Sequence, residues 1–169
     1  MLIGGAGFDI ASYQNASSGL TVDFASLGRS TFDAAGDCYS GIEGVILTRG
    51  DDVLFLGGNV RLGAGLGGDD TMTGTARADT LRGGDGNDSL IGGLGADSFV
   101  GGDGIDTASY GSEGFFLDVK VVMDTPSKST GEAKEDVFSG IEVLSFSGGN
   151  ATYVGGFVDI TVRGGHSAL

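Results

Sequence analysis

An aspartate recurs every nine residues through the middle of the chain, and a small or apolar residue follows two positions later. Carboxylate oxygens are the ligands that hard cations such as Ca²⁺ prefer, so a regular row of aspartates predicts metal binding. The second row, at the same period, predicts a narrow core beside the metal sites. If the acid is the sixth residue of each nonamer, the sixth positions are Asp52, Arg61, Asp70, Asp79, Asp88, Asp97 and Asp106. The eighth positions are Leu54, Gly63, Met72, Leu81, Leu90, Phe99 and Ala108.

Glycines around each aspartate complete the nine-residue unit, which is clearest in the segment GGDGNDSLI. Glycine permits positive φ and close backbone approach, so the first six residues are predicted to form a tight turn. The last three are predicted to form a short strand whose middle side chain points inward. Two units make one 18-residue coil, and successive coils stack as parallel strands. The units begin at Leu47, Leu56, Gly65, Gly74, Gly83, Gly92 and Gly101.

Stacking places aspartates of successive coils above one another, roughly 4.8 Å apart. Two negative charges at that distance repel by about 1 kcal/mol even in water, and a cation between them reverses the sign. Oxygens from two adjacent turns provide about six ligands, which suits Ca²⁺ better than Mg²⁺. Zinc is disfavoured because the chain has one Cys and one His. On one side of the roll, Asp52, Asp70, Asp88 and Asp106 are therefore stacked in succession. On the other side Asp79 is stacked with Asp97, and the position before Asp79 is expected to hold no ion because Arg61 occupies it.

Backbone carbonyls of the turns are predicted to complete each coordination shell, which gives roughly three to five calcium ions. Asp9, the sixth residue of a nonamer that begins at Gly4, is a further predicted ligand. The predicted carbonyl ligands are Gly83, Gly84, Asp85, Gly86, Gly92, Gly93, Leu94, Gly95, Gly101, Gly102, Asp103 and Gly104.

Composition excludes several classes of function. The 169 residues carry a formal net charge of −14, with 18 Asp against 5 Glu, so nucleic-acid binding is not expected. The sequence has neither a membrane-spanning apolar stretch nor a secretory signal. A single histidine, His166, excludes multi-histidine metal centres, and neither a G-x-S-x-G elbow nor a phosphate-binding G-K-[ST] motif occurs. We therefore expect a protein that is not an enzyme.

The pattern G-G-x-G-x-D-x-U-x over residues 65–109, with a looser match back to 47, resembles the RTX (repeats-in-toxin) calcium-binding family. The resemblance implies an all-β fold, a right-handed parallel β-roll of nonapeptide repeats. It also implies Ca²⁺-dependent folding and export by a type I secretion apparatus from a Gram-negative bacterium. The module would then be secreted, in the extracellular medium or at the cell surface.

A longer repeat lies over the nonamers. GGAGFDIASY, from Gly4, returns as GGDGIDTASY, from Gly101, and a segment ending in SGIE also occurs twice. Three regions follow: residues 1–46, a partial nonamer with a β capping segment; residues 47–109, the β-roll; and residues 110–169, a β capping segment with a degenerate repeat. Glu43 and Glu142, in the two SGIE motifs, are interpreted as turn or strand-end residues, with a supplementary ligand role as the alternative. Because Met1 falls inside a repeat, we expect a slice of a longer tandem-array protein.

Two functions remain open: a structural and secretion-assisting calcium module of a larger secreted protein, or an adhesin that holds carbohydrate or a cell surface. The outward positions of the nonamers are irregular, which favours the first. The aromatic residues are expected to pack in the core or caps, Cys38 to be buried, and Asp51 and Asp69 to be solvated turn residues. These aromatic residues are Tyr13, Tyr39, Tyr110, Phe115, Phe116, Phe138 and Phe146.

Overall fold

The chain forms two parallel β-sheets that are connected by turns, as the nonamer pattern predicts. The computed structural model describes residues 1–26, 29–111, 119–122, 126, 129–147, 151–154 and 161–163. Phe115, Phe116, His166 and the first two residues of the β-type run 117–122 lie outside them. The strands are β1 (Leu2–Ile3), β2 (Ile10–Ser12), β3 (Thr21–Asp23), β4 (Tyr39–Ser40), β5 (Gly44–Ile46), β6 (Val53–Phe55), β7 (Leu62–Gly67), β8 (Thr71–Thr73), β9 (Thr80–Asp85), β10 (Ser89–Ile91), β11 (Ser98–Asp103), β12 (Thr107–Tyr110), β13 (Val119–Val122), β14 (Val137–Ser139), β15 (Val143–Phe146), β16 (Ala151–Val154) and β17 (Thr161–Arg163).

Strands of alternate nonamers belong to the same sheet. One sheet has the order β17-β15-β12-β10-β8-β6-β3 and the other β14-β11-β9-β7-β5-β2; β1 with β4 and β13 with β16 form two smaller sheets. The pairings between the described strands are parallel, and inside the array the register offset is 18 residues, as in Ser89↔Thr107 and Ser98↔Thr80. The predicted parallel β-roll is therefore confirmed.

The core is the row of eighth-position side chains. Leu54, Met72, Leu81, Leu90 and Phe99 are all fully buried. Each is the middle residue of a three-residue strand segment, so the pleat turns it inward while its two neighbours face outward. The fully buried set thus follows from the nine-residue period.

Strands of both capping segments extend the same two sheets, beside the two smaller sheets that β1 with β4 and β13 with β16 form. Before the array, β3 pairs with β6 as Thr21↔Val53. After it, β12 pairs with β15 as Thr107↔Val143, and β17 then pairs with β15 at the array's own offset, as Val143↔Thr161. The predicted irregular β coils at both ends are therefore present among the described residues.

The long repeat corresponds to a duplicated structure. Tyr13 donates its hydroxyl hydrogen to Asp37 at 2.6 Å, and Tyr110 donates to Asp136 at 2.9 Å in the second copy. A 3₁₀ helix precedes the acid in each copy, at Phe32–Ala34 and Gly131–Ala133.

Aromatic side chains pack where the second copy closes the core. Phe99 stacks on Phe138 with ring centroids 5.3 Å apart, and Tyr110 stacks on Phe146 at 5.7 Å. Tyr13 is also buried, and Tyr39 is half-buried against Phe24. Core and cap packing is therefore confirmed for the five predicted aromatic residues that the structure describes, namely Tyr13, Tyr39, Tyr110, Phe138 and Phe146.

The prediction for Cys38 is wrong, because its side chain is exposed. It precedes Tyr39 at the start of β4, and strand alternation turns one of two neighbours outward when the other faces the core. Val137, at the equivalent place before Phe138, is also 48% exposed.

None of the helices in the described ranges is long and apolar enough to cross a membrane.

Candidate metal centre

The acids that precede the strands of the seven-stranded sheet form one hydrogen-bonded row, here named column A. The N–H of Asp52 donates to Oδ1 of Asp70 at 2.8 Å, Asp70 donates to Asp88 at 2.8 Å, and Asp88 donates to Asp106 at 2.9 Å. The row ends where Asp106 donates to Oε2 of Glu142 at 2.9 Å. The pairing of acids that are 18 residues apart is thus confirmed on this edge.

The acids that precede the strands of the six-stranded sheet form column B on the other edge. Asp79 donates its N–H to Oδ1 of Asp97 at 2.9 Å, and Asp97 donates to Oδ1 of Asp136 at 2.8 Å. Near the N-terminus, Asp9 donates to Oε2 of Glu43 at 3.0 Å. In chain order, column B contains Asp9, Glu43, Arg61, Asp79, Asp97 and Asp136.

Four array aspartates accept a column hydrogen bond on Oδ1 and have an Oδ2 without a partner, namely Asp70, Asp88, Asp97 and Asp106. All six array aspartates are buried, with at most 2% of their surface exposed. A buried carboxylate oxygen without a hydrogen bond or a cation is strongly destabilising. Among the described residues, the buried oxygens that lack a hydrogen-bond partner are Oδ2 of Asp70, Asp88, Asp97 and Asp106, and Oδ1 of Asp79.

Burial and mutual repulsion raise the pKa of these carboxyls. Desolvation raises the pKa of Asp70 to about 8, and the neighbouring charges of Asp88 and Asp52 add to it. The pKa of Asp88 rises to about 6 and that of Asp97 to about 7, again chiefly by desolvation. A cation beside the free oxygens would restore the ionised forms, because opposite charge favours ionisation.

The surroundings of the free oxygens fit a calcium ion. A Cβ built on Gly65 would overlap Oδ2 of Asp70 and lie 2.6 Å from the carbonyl oxygen of Gly83, so both oxygens line one small space. No group of three His, Cys, Asp or Glu that could hold a metal occurs in the described part of the chain. Hard oxygen donors of this mixed kind, carboxylate plus carbonyl, are those that Ca²⁺ takes.

Two of the predicted aspartate ligands have threonines as additional partners. Thr48 donates from its N–H at 2.8 Å and from its hydroxyl at 3.0 Å to Oδ2 of Asp52, whose Oδ1 accepts from Leu20 at 2.7 Å. Thr75 donates in the same way to Oδ2 of Asp79, at 2.6 and 2.8 Å. Both threonines stand at the second position of their nonamers, where the array otherwise has Gly or Leu.

Arg61 brings a positive charge to the acidic column. Its Nη1 lies 3.7 Å from Oδ1 of Asp79, the oxygen that no described group hydrogen-bonds. The guanidinium also donates to the carbonyls of Val60 at 2.6 Å and Gly58 at 2.8 Å. The guanidinium of Arg61 thus contacts one carboxylate and two carbonyls at the place where the sequence predicts that a calcium ion is missing.

The predicted carbonyl ligands lie in stacked turns. A Cβ built on Gly102 would overlap the carbonyl oxygen of Gly84, one coil away, and in the other row a Cβ built on Gly93 would overlap the carbonyl oxygen of Thr75. The side chains of the remaining predicted carbonyl donors with Cβ atoms, Asp85, Leu94 and Asp103, point into solvent. Asp9 is half-buried, and its Oδ2 accepts the N–H of Gly5 at 2.7 Å. The coordination roles of these residues, and the ion count, stay predictions.

Sequence reasoning missed Asp136 as a column member and gave Glu43 and Glu142 a ligand role only as the alternative. Asp136 follows Asp97 by 39 residues instead of 18, and Glu142 follows Asp106 by 36. The recurrence of SGIE was a usable signal for Glu142, whereas nothing in the nonamer pattern marks Asp136.

A third row of side chains, separate from columns A and B, is formed by residues at the fifth position of the nonamers. Oδ1 of Asp51 accepts the N–H of Asp69 at 2.9 Å, Asp69 accepts from Asn87 at 2.7 Å, and Asn87 accepts from Ile105 at 3.0 Å. Asp51 and Asp69 are exposed turn residues, as predicted, but they also hold successive turns together.

Comparison with known proteins supports the chemical interpretation. The family model of the RTX calcium-binding nonapeptide repeat (4 copies) matches residues 64–99 and 73–108. No curated protein matched the chain. No solved structure matched it either. With its nonamer register, its parallel β-roll and its buried rows of aspartate, the array at residues 64–108 belongs to the RTX family of calcium-binding repeats.

Proposed function

We propose that this chain is a calcium-responsive structural module of a larger secreted protein, which folds when it meets Ca²⁺ outside the cell and assists secretion of the parent chain. The observation that carries the proposal is the set of buried carboxylate oxygens without partners along both columns. When bound, Ca²⁺ supplies the positive charge that lets these carboxylates stay ionised inside the roll. The proposed role is non-enzymatic.

Repulsion between the column acids opposes folding without metal. Asp70 lies between Asp52 and Asp88 in column A, and burial raises the pKa of its carboxyl to about 8. Glycine, with 35 copies in the chain, adds the largest backbone entropy loss of any residue. Burial of the apolar core opposes these costs. We nevertheless expect the chain to be largely unfolded in chelator and folded in Ca²⁺.

The same dependence suggests an export route. Cytosolic Ca²⁺ is low, so the chain would stay unfolded inside the cell and could pass through a narrow type I secretion apparatus. The columns would then order the chain outside a Gram-negative cell.

An adhesive role is less well supported than a structural one. Most of the described aromatic residues are buried or half-buried, with Phe99, Tyr110 and Phe146 buried, whereas Phe8 is 61% exposed. The outward positions beside the core row differ from coil to coil, as in Thr80/Arg82 and Ser98/Val100. A glycan array screened with and without Ca²⁺ tests this alternative, and Ca²⁺-dependent glycan binding would favour it.

Far-UV circular dichroism and limited proteolysis test the proposed function. We expect a mostly disordered, protease-sensitive chain in chelator and a β spectrum with protease resistance in millimolar Ca²⁺. Mg²⁺ at the same concentration should substitute poorly, because it demands a tighter octahedral shell. Identical spectra and digestion patterns in chelator and Ca²⁺ would contradict the proposal.

A further inference from the structure

The two SGIE motifs place their turns against a nonamer turn in the same way. A Cβ built on Gly101 would overlap the carbonyl oxygen of Gly140, and a Cβ built on Gly4 would overlap that of Gly41. Gly140 has φ of 60° and Gly41 has φ of 63°, a left-handed conformation that glycine adopts without strain. Both copies therefore aim a glycine carbonyl at the first residue of the preceding turn.

A glutamate replaces the aspartate of a nonamer in each copy. Asp106 donates its N–H to Oε2 of Glu142 at 2.9 Å, and Asp9 donates to Oε2 of Glu43 at 3.0 Å. Each SGIE turn has three residues between its strands, Gly, Ile and Glu, instead of the six turn residues of a nonamer. The extra methylene of glutamate keeps the column hydrogen bond across this shorter turn.

The two copies differ in the free oxygen of the aspartate. Asp106 is fully buried, and its Oδ2 finds no hydrogen-bond donor in the part of the chain that the structure describes. This Oδ2 and the carbonyl oxygen of Gly140 both lie where the Cβ of Gly101 would be. Asp9 is half-buried instead, and its Oδ2 accepts the N–H of Gly5 at 2.7 Å. Oδ2 of the aspartate thus has no hydrogen-bond donor among the described residues in the C-terminal copy, whereas it has one in the N-terminal copy.

At the end of column B, both oxygens of the last acid accept hydrogen bonds. Asp136 is fully buried, and its two oxygens accept from the N–H of Asp97 at 2.8 Å and the hydroxyl of Tyr110 at 2.9 Å. Hydrogen-bond donors thus satisfy the last acid of column B. In column A, Asp106 comes directly before the last acid, Glu142, and no described group donates to its Oδ2 as Tyr110 does to Asp136.

We propose that the second SGIE turn closes a calcium site beyond the nonapeptide array, held by Oδ2 of Asp106, the carbonyl oxygen of Gly140 and the carboxylate of Glu142. The site rests on the proposed calcium-binding function of the array. It repeats the arrangement at Gly65, where Oδ2 of Asp70 and the carbonyl oxygen of Gly83 converge. The second SGIE turn then binds calcium where the array is followed by strand β15.

Ion counting with matched variants tests this site. Isothermal titration calorimetry with CaCl₂ and equilibrium dialysis with ⁴⁵Ca²⁺ would be run on the unmodified chain, on Glu142→Gln and on the control Glu43→Gln. Glutamine keeps an acceptor oxygen for the column hydrogen bond and removes the charge. We expect Glu142→Gln to lose one ion per chain, or to bind its weakest ion at least about tenfold less tightly, a difference of about 1.4 kcal/mol. Glu43→Gln should bind as many ions as the unmodified chain.

The outcomes separate this site from the proposed function. If the unmodified chain binds Ca²⁺ and Glu142→Gln binds it equally well, the site is overturned but the proposed function is not. The same holds if Glu43→Gln reduces Ca²⁺ binding as much as Glu142→Gln does. An unmodified chain that binds no Ca²⁺ would overturn both. If Glu142→Gln does not fold, as judged by circular dichroism in saturating Ca²⁺, anomalous diffraction from Ca²⁺-loaded crystals of the unmodified chain decides. A peak in contact with Oδ2 of Asp106 and the carbonyl oxygen of Gly140 supports the site, and its absence overturns it.

Discussion

The backbone N–H of Asp70 donates to Oδ1 of Asp88, one coil away, at 2.8 Å, and leaves Oδ2 of Asp88 without a described partner. One carboxylate therefore has two roles, because one oxygen binds adjacent coils together and the other faces the metal space. The column hydrogen bonds join one part of the protein to another, whereas the second oxygens need a cation. The predictions below separate the two roles.

Removing the carboxylate of Asp88 should weaken calcium-driven folding far more than removing that of Asp52. Asp88 lies inside column A and has a free oxygen, whereas Thr48 and Leu20 satisfy both oxygens of Asp52. We expect Asp88→Ala to raise the Ca²⁺ concentration at the folding midpoint by about tenfold or more, since hydrogen bonds to charged groups alone contribute about 1.5–3 kcal/mol. Asp52→Ala should raise it less. Circular dichroism during Ca²⁺ titration measures both midpoints, and equal shifts would contradict the assignment.

Replacing Arg61 by aspartate should add a calcium ion. The guanidinium lies 3.7 Å from Asp79 and donates to two turn carbonyls, so it already supplies positive charge at this place in column B. Arg61→Asp would restore the column acid, and we expect one more bound Ca²⁺ per chain by equilibrium dialysis. Arg82→Asp, an equal charge change at an exposed position of the same sheet, is the control and should add none. An unchanged ion count in Arg61→Asp would show that the arginine does not substitute for a metal.

The metal-free chain should become more ordered as the pH falls. Burial raises the pKa of Asp70 to about 8, those of Asp97 and Asp136 to about 7, and that of Asp88 to about 6. Because the folded pKa values exceed the unfolded value of 3.8, folded chains bind more protons. This stabilisation is complete below the unfolded pKa and is lost as the pH rises through about 6 to 8.

Protease resistance and far-UV circular dichroism of the metal-free chain at about pH 4 and about pH 8 measure this effect. Greater order at the higher pH would contradict the raised pKa values. In Ca²⁺ the dependence should reverse, because protons compete with the metal for the carboxylates.

Phe99 should be the most sensitive core position. It is fully buried, stacks on Phe138 at 5.3 Å and meets the ring of Tyr110 at 6.2 Å, so it connects the array to the C-terminal cap. Phe99→Ala should lower the free energy of unfolding by about 3–5 kcal/mol. Ile105→Ala is the control, because that side chain is 60% exposed and its loss should cost no more than about 0.5 kcal/mol. Urea unfolding in saturating Ca²⁺ compares the two, and similar losses would contradict the predicted core.

The sequence by itself determined the array. A period of nine, with glycine in the turn and aspartate in the sixth position, predicts the 18-residue register, the buried row from Leu54 to Phe99 and column A from Asp52 to Asp106. These features are predictable because each nonamer makes the same local structure and contacts only its neighbours one coil away, so local pattern and tertiary contact coincide. Arg61, at a sixth position, also shows from the sequence alone where the row of aspartates is interrupted.

Tertiary structure alone decided how the columns end. Asp97 reaches Asp136 across 39 residues and Asp106 reaches Glu142 across 36, because the intervening segments leave the repeat and rejoin the sheets at β14 and β15. Cys38 likewise points outward because of its place beside Tyr39 in β4, which its residue type does not indicate. The length of an irregular loop carries no periodic signal, so only the folded chain shows which acid meets the last repeat and which of its oxygens is left free for a cation.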